Sequence, residues 1–131
     1  MQRQLLDVQL SPHFKLSEFA QHSPPHPVPA YMERQLRRLC IDVLEPLRKV
    51  FGTCHVLSGC RTVAHNTEVG GAPASYHIYS RRRRAPAADV AFERGTPQQW
   101  AERADKLLQS GGLGVYPTHI HVDQRGFHAR W

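Results

Sequence analysis

Apolar residues at helical spacing predict the longest element of the chain, a helix over residues 30–50. The positions that recur every three or four residues are Met32, Leu36, Leu39, Cys40, Val43, Leu44, Leu47 and Val50. Pro46 falls inside this run and should bend the helix, because proline removes one backbone donor. Gly52 is the expected stop.

A second helix is predicted from its capping signals. Thr96 is a suitable N-cap, Pro97 suits the first helical position, and Gln99 can complete a capping box. The expected buried stripe consists of Trp100, Ala104, Leu107 and Leu108. Gly111 and Gly112 should end this helix.

Shorter apolar runs predict strands between and after the helices. Residues 55–58 and 90–92 suit short strands, and Asp89 enters the second of them from an alanine-rich run. In the last run His119, His121 and Asp123 alternate with aliphatic residues, which places the polar groups on one strand face. Residues 13–19 should form a short element that docks Phe14, Leu16 and Phe19 on the core. The order of elements predicts an α+β fold with a small antiparallel sheet that is built largely by the second half of the chain. Residues 127–131 should close this sheet or pack under it.

The length of 131 residues suits a single domain. Residues 22–29 contain four prolines and should be extended, which divides the domain into an N-terminal segment, 1–29, and a core, 30–131. No apolar run is long enough to cross a membrane. The N-terminus lacks the pattern of a secretory signal, so we expect synthesis in the cytoplasm and another route to any site outside it.

The net charge and the number of cysteines limit the kinds of partner and site that the protein can have. The net charge is +6, and its basic residues include Arg81, Arg82, Arg83 and Arg84 and a second group at Arg34, Arg37, Arg38, Arg48 and Lys49. Such a balance suits an anionic partner such as nucleic acid, a phospholipid surface or a bacterial wall polymer, although a run of arginines also suits a solvated loop. Three cysteines without a Cys-x-x-Cys pair argue against a disulfide framework and a thiolate zinc site. Cys40, on the apolar helix face, should be a core residue.

Two imidazoles and one carboxylate are the ligands that a catalytic zinc uses when a fourth position stays open for water. His77, Asp89 and His121 offer this set. The alternative is that the last histidines lie on a solvated edge strand.

An ordered series of motifs resembles a known family. The series is Ser58-Gly59-Cys60-Arg61-Thr62, Asn66, Gly70-Gly71, Ser75-Tyr76-His77, Ala87-Ala88-Asp89, Gly112-x-Gly114-x-Tyr116 and His121-Val122-Asp123. It resembles the zinc D-alanyl-D-alanine carboxypeptidases and L-alanyl-D-glutamate endopeptidases, which include phage endolysins and small cell-wall peptidases. The resemblance covers residues 14–131.

The resemblance implies a hedgehog/D-Ala-D-Ala-peptidase-like fold and zinc-dependent cleavage of peptidoglycan stem peptides. It implies Zn²⁺ on His77, Asp89 and His121, with Arg61 and Ser75 near the substrate. It implies a peptidoglycan peptide as partner and action on the wall after release or with a phage particle. Bond specificity and oligomeric state are left open.

This sequence departs from the family pattern twice. The spacer between His77 and Asp89 is longer than usual, with the four arginines as an apparent insertion that a loop can absorb. Thr118 stands where many relatives carry the carboxylate that serves as general base, and a threonine cannot take that proton at neutral pH. The candidates are then His119, whose imidazole exchanges protons near neutrality, and Asp123, which better suits an acceptor that fixes a ligand imidazole.

Two other functions are open to the sequence. The missing carboxylate at Thr118 would suit a non-catalytic wall-binding or phage structural domain on the same fold. Nucleic-acid binding through the four arginines is not expected, because a recognition motif and interleaved aromatic residues are missing.

Overall fold

The computed structural model describes residues 8–19, 30–59 and 86–131. The chain forms a single small α+β domain, as the pattern predicts. The predicted long helix is present in three parts: α1 (Ala30–Leu39), a π-helical turn (Cys40–Leu44) and α2 (Glu45–Phe51). The Glu45 N–H donates to the Cys40 carbonyl, five residues back. We attribute the wide turn to Pro46, which has no N–H to continue the ordinary ladder. Gly52, at φ +83°, ends α2 as predicted.

The predicted capping box begins the next helix, α3 (Pro97–Leu107). The Gln99 N–H donates to the Thr96 hydroxyl, and the Thr96 N–H donates to Oε1 of Gln99. The helix ends at Leu107, so the prediction that Gly111 and Gly112 end it is wrong: Gly111 follows in a turn and Gly112 begins the next strand.

Two residues at helix ends were assigned to the wrong face. Val50 and Leu107 are exposed. The last core contact of α2 is made by Phe51 instead of Val50, and that of α3 by Leu108, which was also predicted to be buried. Phe51 packs against Phe92 with ring centroids 6.0 Å apart, and Leu108 is buried. In both helices the final apolar contact is made at a spacing of four residues rather than three.

The main sheet has five strands in the order β3, β4, β6, β5, β7. They are β3 (Cys54–Ser58), β4 (Ala87–Phe92), β5 (Gly112–Val115), β6 (Ile120–Asp123) and β7 (Ala129–Arg130). The pairs β3–β4, β4–β6 and β6–β5 are antiparallel, and β7 closes the edge parallel to β5. The strand β6 lies in the middle of the sheet with all four residues buried, so the solvated edge-strand alternative is wrong.

The register of β4, β6 and β5 gives the sheet two different faces. Val90 and Ala88 lie opposite Ile120 and Val122, and these side chains join Leu113 in the core beneath the helices. The other face carries Asp89, His121 and Asp123 at alternating positions, with Gly114 and Gly112 as their neighbours on β5. One face of the sheet therefore stabilises the fold and the other holds polar chemistry.

The N-terminal residues extend the core. A small hairpin, β1 (Gln9–Ser11) and β2 (Phe14–Lys15), is followed by a 3₁₀ turn (Leu16–Phe19). Phe14, Leu16 and Phe19 are buried as predicted. None of the described helices is long and apolar enough to cross a bilayer.

The two described cysteines, Cys40 and Cys54, are free thiols buried in the core. Burial raises the pKa of the Cys40 thiol to about 12 and also raises that of Cys54. Neither is therefore suited to act as a thiolate ligand.

Candidate metal centre

Asp89 and His121 face each other across two paired strands. They are direct partners in the β4–β6 register, and Oδ1 of Asp89 lies 3.3 Å from Nδ1 of His121. Both side chains are largely buried. The sheet thus joins two candidate ligands that are separated by more than thirty positions in the sequence.

The second nitrogen of His121 is held by Asp123. Oδ2 of Asp123 lies 2.6 Å from Nε2 of His121, two residues earlier on the same strand face. When the Nε2–H donates to this carboxylate, the lone pair of a neutral imidazole is on Nδ1, directed toward Asp89. The strand therefore fixes both the orientation of the ring and its tautomer.

Asp123 is anchored by a residue that the sequence analysis did not single out, Arg125. The guanidinium donates from Nε to Oδ1 at 2.8 Å and from Nη2 to Oδ2 at 2.7 Å. The backbone N–H groups of Gly112 and Arg125 also donate to Oδ1, each at 3.1 Å. Asp123 is 0% exposed, and a buried carboxylate requires such a set of donors.

These contacts shift two pKa values in opposite directions. Burial alone would raise the pKa of Asp123, but hydrogen bonds from Arg125 and His121 outweigh it and hold the pKa far below its usual range. Burial would likewise lower the pKa of His121, but the hydrogen bonds to Asp123 and Asp89 raise it above its ordinary value. Each of the two groups therefore favours the charged form of the other.

Two glycines on β5 make room for this arrangement. A Cβ at Gly112 would lie 2.5 Å from Oδ2 of Asp123 and 2.6 Å from Nε of Arg125. A Cβ at Gly114 would lie 2.5 Å from Nε1 of Trp131. The Gly112-x-Gly114 motif therefore leaves a flat strand on which side chains from β6 and beyond it can lie.

The donor set fits zinc. Two ligand atoms of one tetrahedral zinc, each at about 2.0–2.1 Å, lie roughly 3.3–3.4 Å apart. The Asp89 Oδ1 to His121 Nδ1 distance of 3.3 Å has this value. The carboxylate on the far nitrogen of His121 is the usual support of a metal-bound histidine.

His119, the candidate base, precedes β6. Its Nδ1 lies 3.1 Å from the Thr118 hydroxyl, and its ring stacks on Tyr116 with centroids 4.7 Å apart and planes at 8°. Thr118 thus stands beside the candidate base as a hydrogen-bond partner. Asp123 is poorly suited to be the base, because its carboxylate is buried and already accepts hydrogen bonds on both oxygens.

The other predicted site residues, Arg61, Ser75 and His77, lie outside the described residues, as do the four arginines, Cys60 and the proline-rich segment. Within residues 8–19, 30–59 and 86–131, no three His, Cys, Asp or Glu side chains form a group able to hold a metal ion. The described part of the chain thus brings together two of the three predicted ligands, Asp89 and His121, and the support Asp123.

The family model for peptidase M15 matches residues 12–123, which is most of the chain. The chain belongs to the peptidase M15 family. The match ends at Asp123, so it includes Asp89 and His121 but not Arg125 or Trp131. The chain matches no curated protein and no solved structure.

In this M15 peptidase two residues beside the candidate centre, Arg125 and Trp131, were not among the predicted site residues. The ring of Trp131 lies 5.0 Å from that of His121, and Cζ of Arg125 lies 5.0 Å from the Trp131 ring. A weak signal for Arg125 was its spacing, two residues after Asp123. The signal for Trp131 was the glycine at position 114, but only the sheet order shows that the two positions are neighbours.

Proposed function

We propose that this chain is a zinc-dependent peptidase that hydrolyses peptide bonds in bacterial peptidoglycan stem peptides. The observation that carries the proposal is the Asp89–His121–Asp123–Arg125 chain of contacts on a central strand of an M15 fold. It is buried, directional and supported at each step, as a preorganised metal centre requires.

Zinc would be held by His77, Asp89 and His121. When bound there, zinc would lower the pKa of a water to about 7 and polarise the scissile carbonyl. Asp89 supplies an anionic oxygen and His121 a neutral Nδ1. Asp123 and Arg125 keep His121 in the tautomer that leaves Nδ1 free of its proton, while Arg61 and Ser75 are proposed to contact the substrate.

His119 is the proposed general base. When the His119 Nδ1–H donates to the Thr118 hydroxyl oxygen, 3.1 Å away, Nε2 carries the lone pair and is the atom that would take the proton from the attacking water and return it to the leaving amine. Stacking on Tyr116 holds the plane of the ring. This assignment explains how the site can function with Thr118 in place of a carboxylate.

The proposal is tested by zinc content and by release of muropeptides from purified peptidoglycan, detected by mass. We expect about one zinc per chain in the wild type. Asp89→Ala and His121→Ala should each lose most of the metal and all release. His13→Ala is the matched control, because His13 also pairs with a carboxylate but lies on the β1–β2 hairpin; it should retain both.

The same experiment separates the alternative, a non-catalytic wall-binding or phage structural domain. That function predicts sedimentation with peptidoglycan but no released muropeptides from the zinc-loaded wild type. Full zinc content in both Asp89→Ala and His121→Ala would instead disprove the ligand assignment.

A further inference from the structure

Trp131 and Tyr116 form an aromatic platform beside the candidate metal centre. Trp131 is 46% exposed and Tyr116 is 38% exposed, yet both are held firmly. The Trp131 indole N–H donates to the Tyr116 hydroxyl at 2.7 Å. The Trp131 backbone donates to the Leu113 carbonyl at 3.1 Å and accepts from the Val115 N–H at 2.9 Å.

The platform has a defined position on the sheet. The Trp131 ring lies over Gly114, which is the direct partner of His121 in the β5–β6 register. Its centroid is 5.0 Å from the His121 ring. Tyr116, two residues after Gly114 along the chain, stacks on His119. The platform thus adjoins both a proposed ligand and the proposed base.

The chemistry of the platform is apolar. The Trp131 indole N–H is satisfied by the Tyr116 hydroxyl. Arg125 lies on the Trp131 ring and His119 on the Tyr116 ring, and the ring surface that stays exposed is hydrocarbon. Rings fixed in advance lose little conformational freedom when a ligand binds. Exposed, rigid aromatic surface beside a polar site is typical of a ligand-binding surface rather than of a core.

We infer that this platform binds the aliphatic side chain of the substrate residue next to the scissile bond, and so contributes to substrate specificity; the inference rests on the function proposed above. The reacting carbonyl must lie beside Asp89 and His121. One residue of extended chain spans about 3.3–3.6 Å, so at 5.0 Å from His121 the platform is within reach of the adjacent residue. In a stem peptide that residue carries a short aliphatic group such as the methyl of alanine.

The first test compares two synthetic stem peptides that differ only in an alanine or a glycine beside the bond that the wild type cleaves. Zinc-loaded wild type should prefer the alanine peptide roughly tenfold in kcat/KM, the lower range for one methyl group in an apolar site. Trp131→Ala should bring this ratio close to one with unchanged zinc content. Tyr116→Phe, which removes the hydroxyl that orients the indole, should give an intermediate ratio.

Phe127→Ala is the matched control. Phe127 is 54% exposed, and its ring contacts the Arg125 guanidinium as the ring of Trp131 does. This variant should keep the wild-type ratio. A ratio that stays at the wild-type value in Trp131→Ala, or that falls equally in Phe127→Ala, overturns the inference.

The second test uses unmodified protein and does not depend on turnover. The chain has two tryptophans, and the indole N–H of Trp100 donates to the Arg94 carbonyl from a buried position. Adding the alanine peptide should shift the indole N–H resonance of Trp131 and leave that of Trp100 in place, and the glycine peptide should shift it less.

The two tests distinguish failure of the inference from failure of the proposed function. A selective Trp131 shift without hydrolysis would support the platform and count against a peptidase. Hydrolysis without a shift would support the peptidase and overturn the platform. If peptide-free glycan fragments shift the Trp131 resonance equally, the platform binds sugar and the inference is overturned. If neither hydrolysis nor a shift is observed, both proposals are overturned.

Discussion

The described part of the chain contains two histidine–carboxylate pairs of nearly equal length in different surroundings. His121 and Asp123 are 2.6 Å apart in the candidate centre, and His13 and Glu45 are 2.7 Å apart where the N-terminal hairpin meets α2. Glu45 also accepts the Ser11 hydroxyl at 2.6 Å and the His13 N–H at 2.8 Å. It therefore joins the hairpin to the helix.

The difference lies on the far side of each histidine. His121 has a second carboxylate, Asp89, at its other nitrogen, and its ring is buried. The His13 side chain is 47% exposed, and in the described part of the chain Glu45 is the one carboxylate it contacts. A short histidine–carboxylate contact is thus common to a structural link and a candidate centre. Burial and a second acid distinguish the latter.

A third histidine, His119, extends the comparison, and its replacement should have the largest effect on activity. His119 is within hydrogen-bond distance of a hydroxyl rather than a carboxylate. His119→Ala should reduce turnover by roughly 10²–10⁴-fold, the usual range for loss of a general base. Zinc content should be unchanged, and His13→Ala should leave both quantities alone. A nearly silent His119→Ala, together with an inactive Asp123→Asn that keeps its zinc, would exchange the two roles.

Replacing Arg125 tests whether burial makes an ion pair more important for stability. Arg125→Met should reduce the free energy of unfolding by about 3–5 kcal/mol, because it leaves the Asp123 carboxylate buried without its main partner. Arg94→Met, which breaks the exposed pair with Glu93, should reduce it by about 1 kcal/mol or less. Urea unfolding of both variants in the presence of a chelator gives the two values without a contribution from bound metal. Equal losses would mean that burial does not distinguish the two pairs.

Removing the charge of Asp123 or of Glu45 should show which carboxylate supports metal binding and which only stabilises the fold. Asp123→Asn should weaken zinc binding roughly 10–100-fold, because the amide no longer fixes the Nε2–H tautomer of His121. Glu45→Gln should leave zinc affinity unchanged. Competition with a chromogenic chelator measures both affinities. An unchanged affinity in Asp123→Asn would show that Asp123 does not support a ligand.

The smallest expected effect is the pH dependence of the surface pair. Burial works against ionisation of Glu45, but hydrogen bonds from Ser11 and His13 outweigh it and lower its pKa below the ordinary value. A lowered carboxyl pKa contributes stability that is fully present above the ordinary pKa and is lost as the pH falls through the lowered one. Glu45→Gln should therefore be less stable than wild type by about 1 kcal/mol or less near neutrality. This difference in stability should disappear as the pH falls through the lowered pKa of Glu45. Urea unfolding from neutral to acidic pH measures it, and a difference that stays constant would contradict the role given to the Glu45 carboxylate.

Local rules predicted much of the fold. The capping box at Thr96 and the glycine stop at Gly52 depend on neighbours within a few residues, and both are confirmed. The alternation predicted one face for His121 and Asp123, and the register confirms it, because strand periodicity is also local. His119, predicted for the same face, precedes the strand. The errors at Val50 and Leu107 arose where a spacing of three and a spacing of four both fitted the pattern.

The candidate site depends on pairings that no local pattern contains. The sequence named Asp89 and His121 as ligands through a family resemblance, but their contact follows from the β4–β6 register. Arg125 was overlooked because its role appears only when the chain past β6 turns back on Asp123. Trp131 reaches His121 because β7 pairs with β5 in parallel, a long-range arrangement that a prediction of an antiparallel sheet does not include.

The two glycines of β5 have a consequence for any attempt to engineer this protein. Replacing strand glycines by β-branched residues is an obvious way to strengthen a sheet. Here the new methyl groups would occupy the space of Arg125 at position 112 and of the Trp131 indole at position 114. Such substitutions should therefore lower stability as well as displace the groups that shape the site. Variants selected for heat resistance alone should keep both glycines.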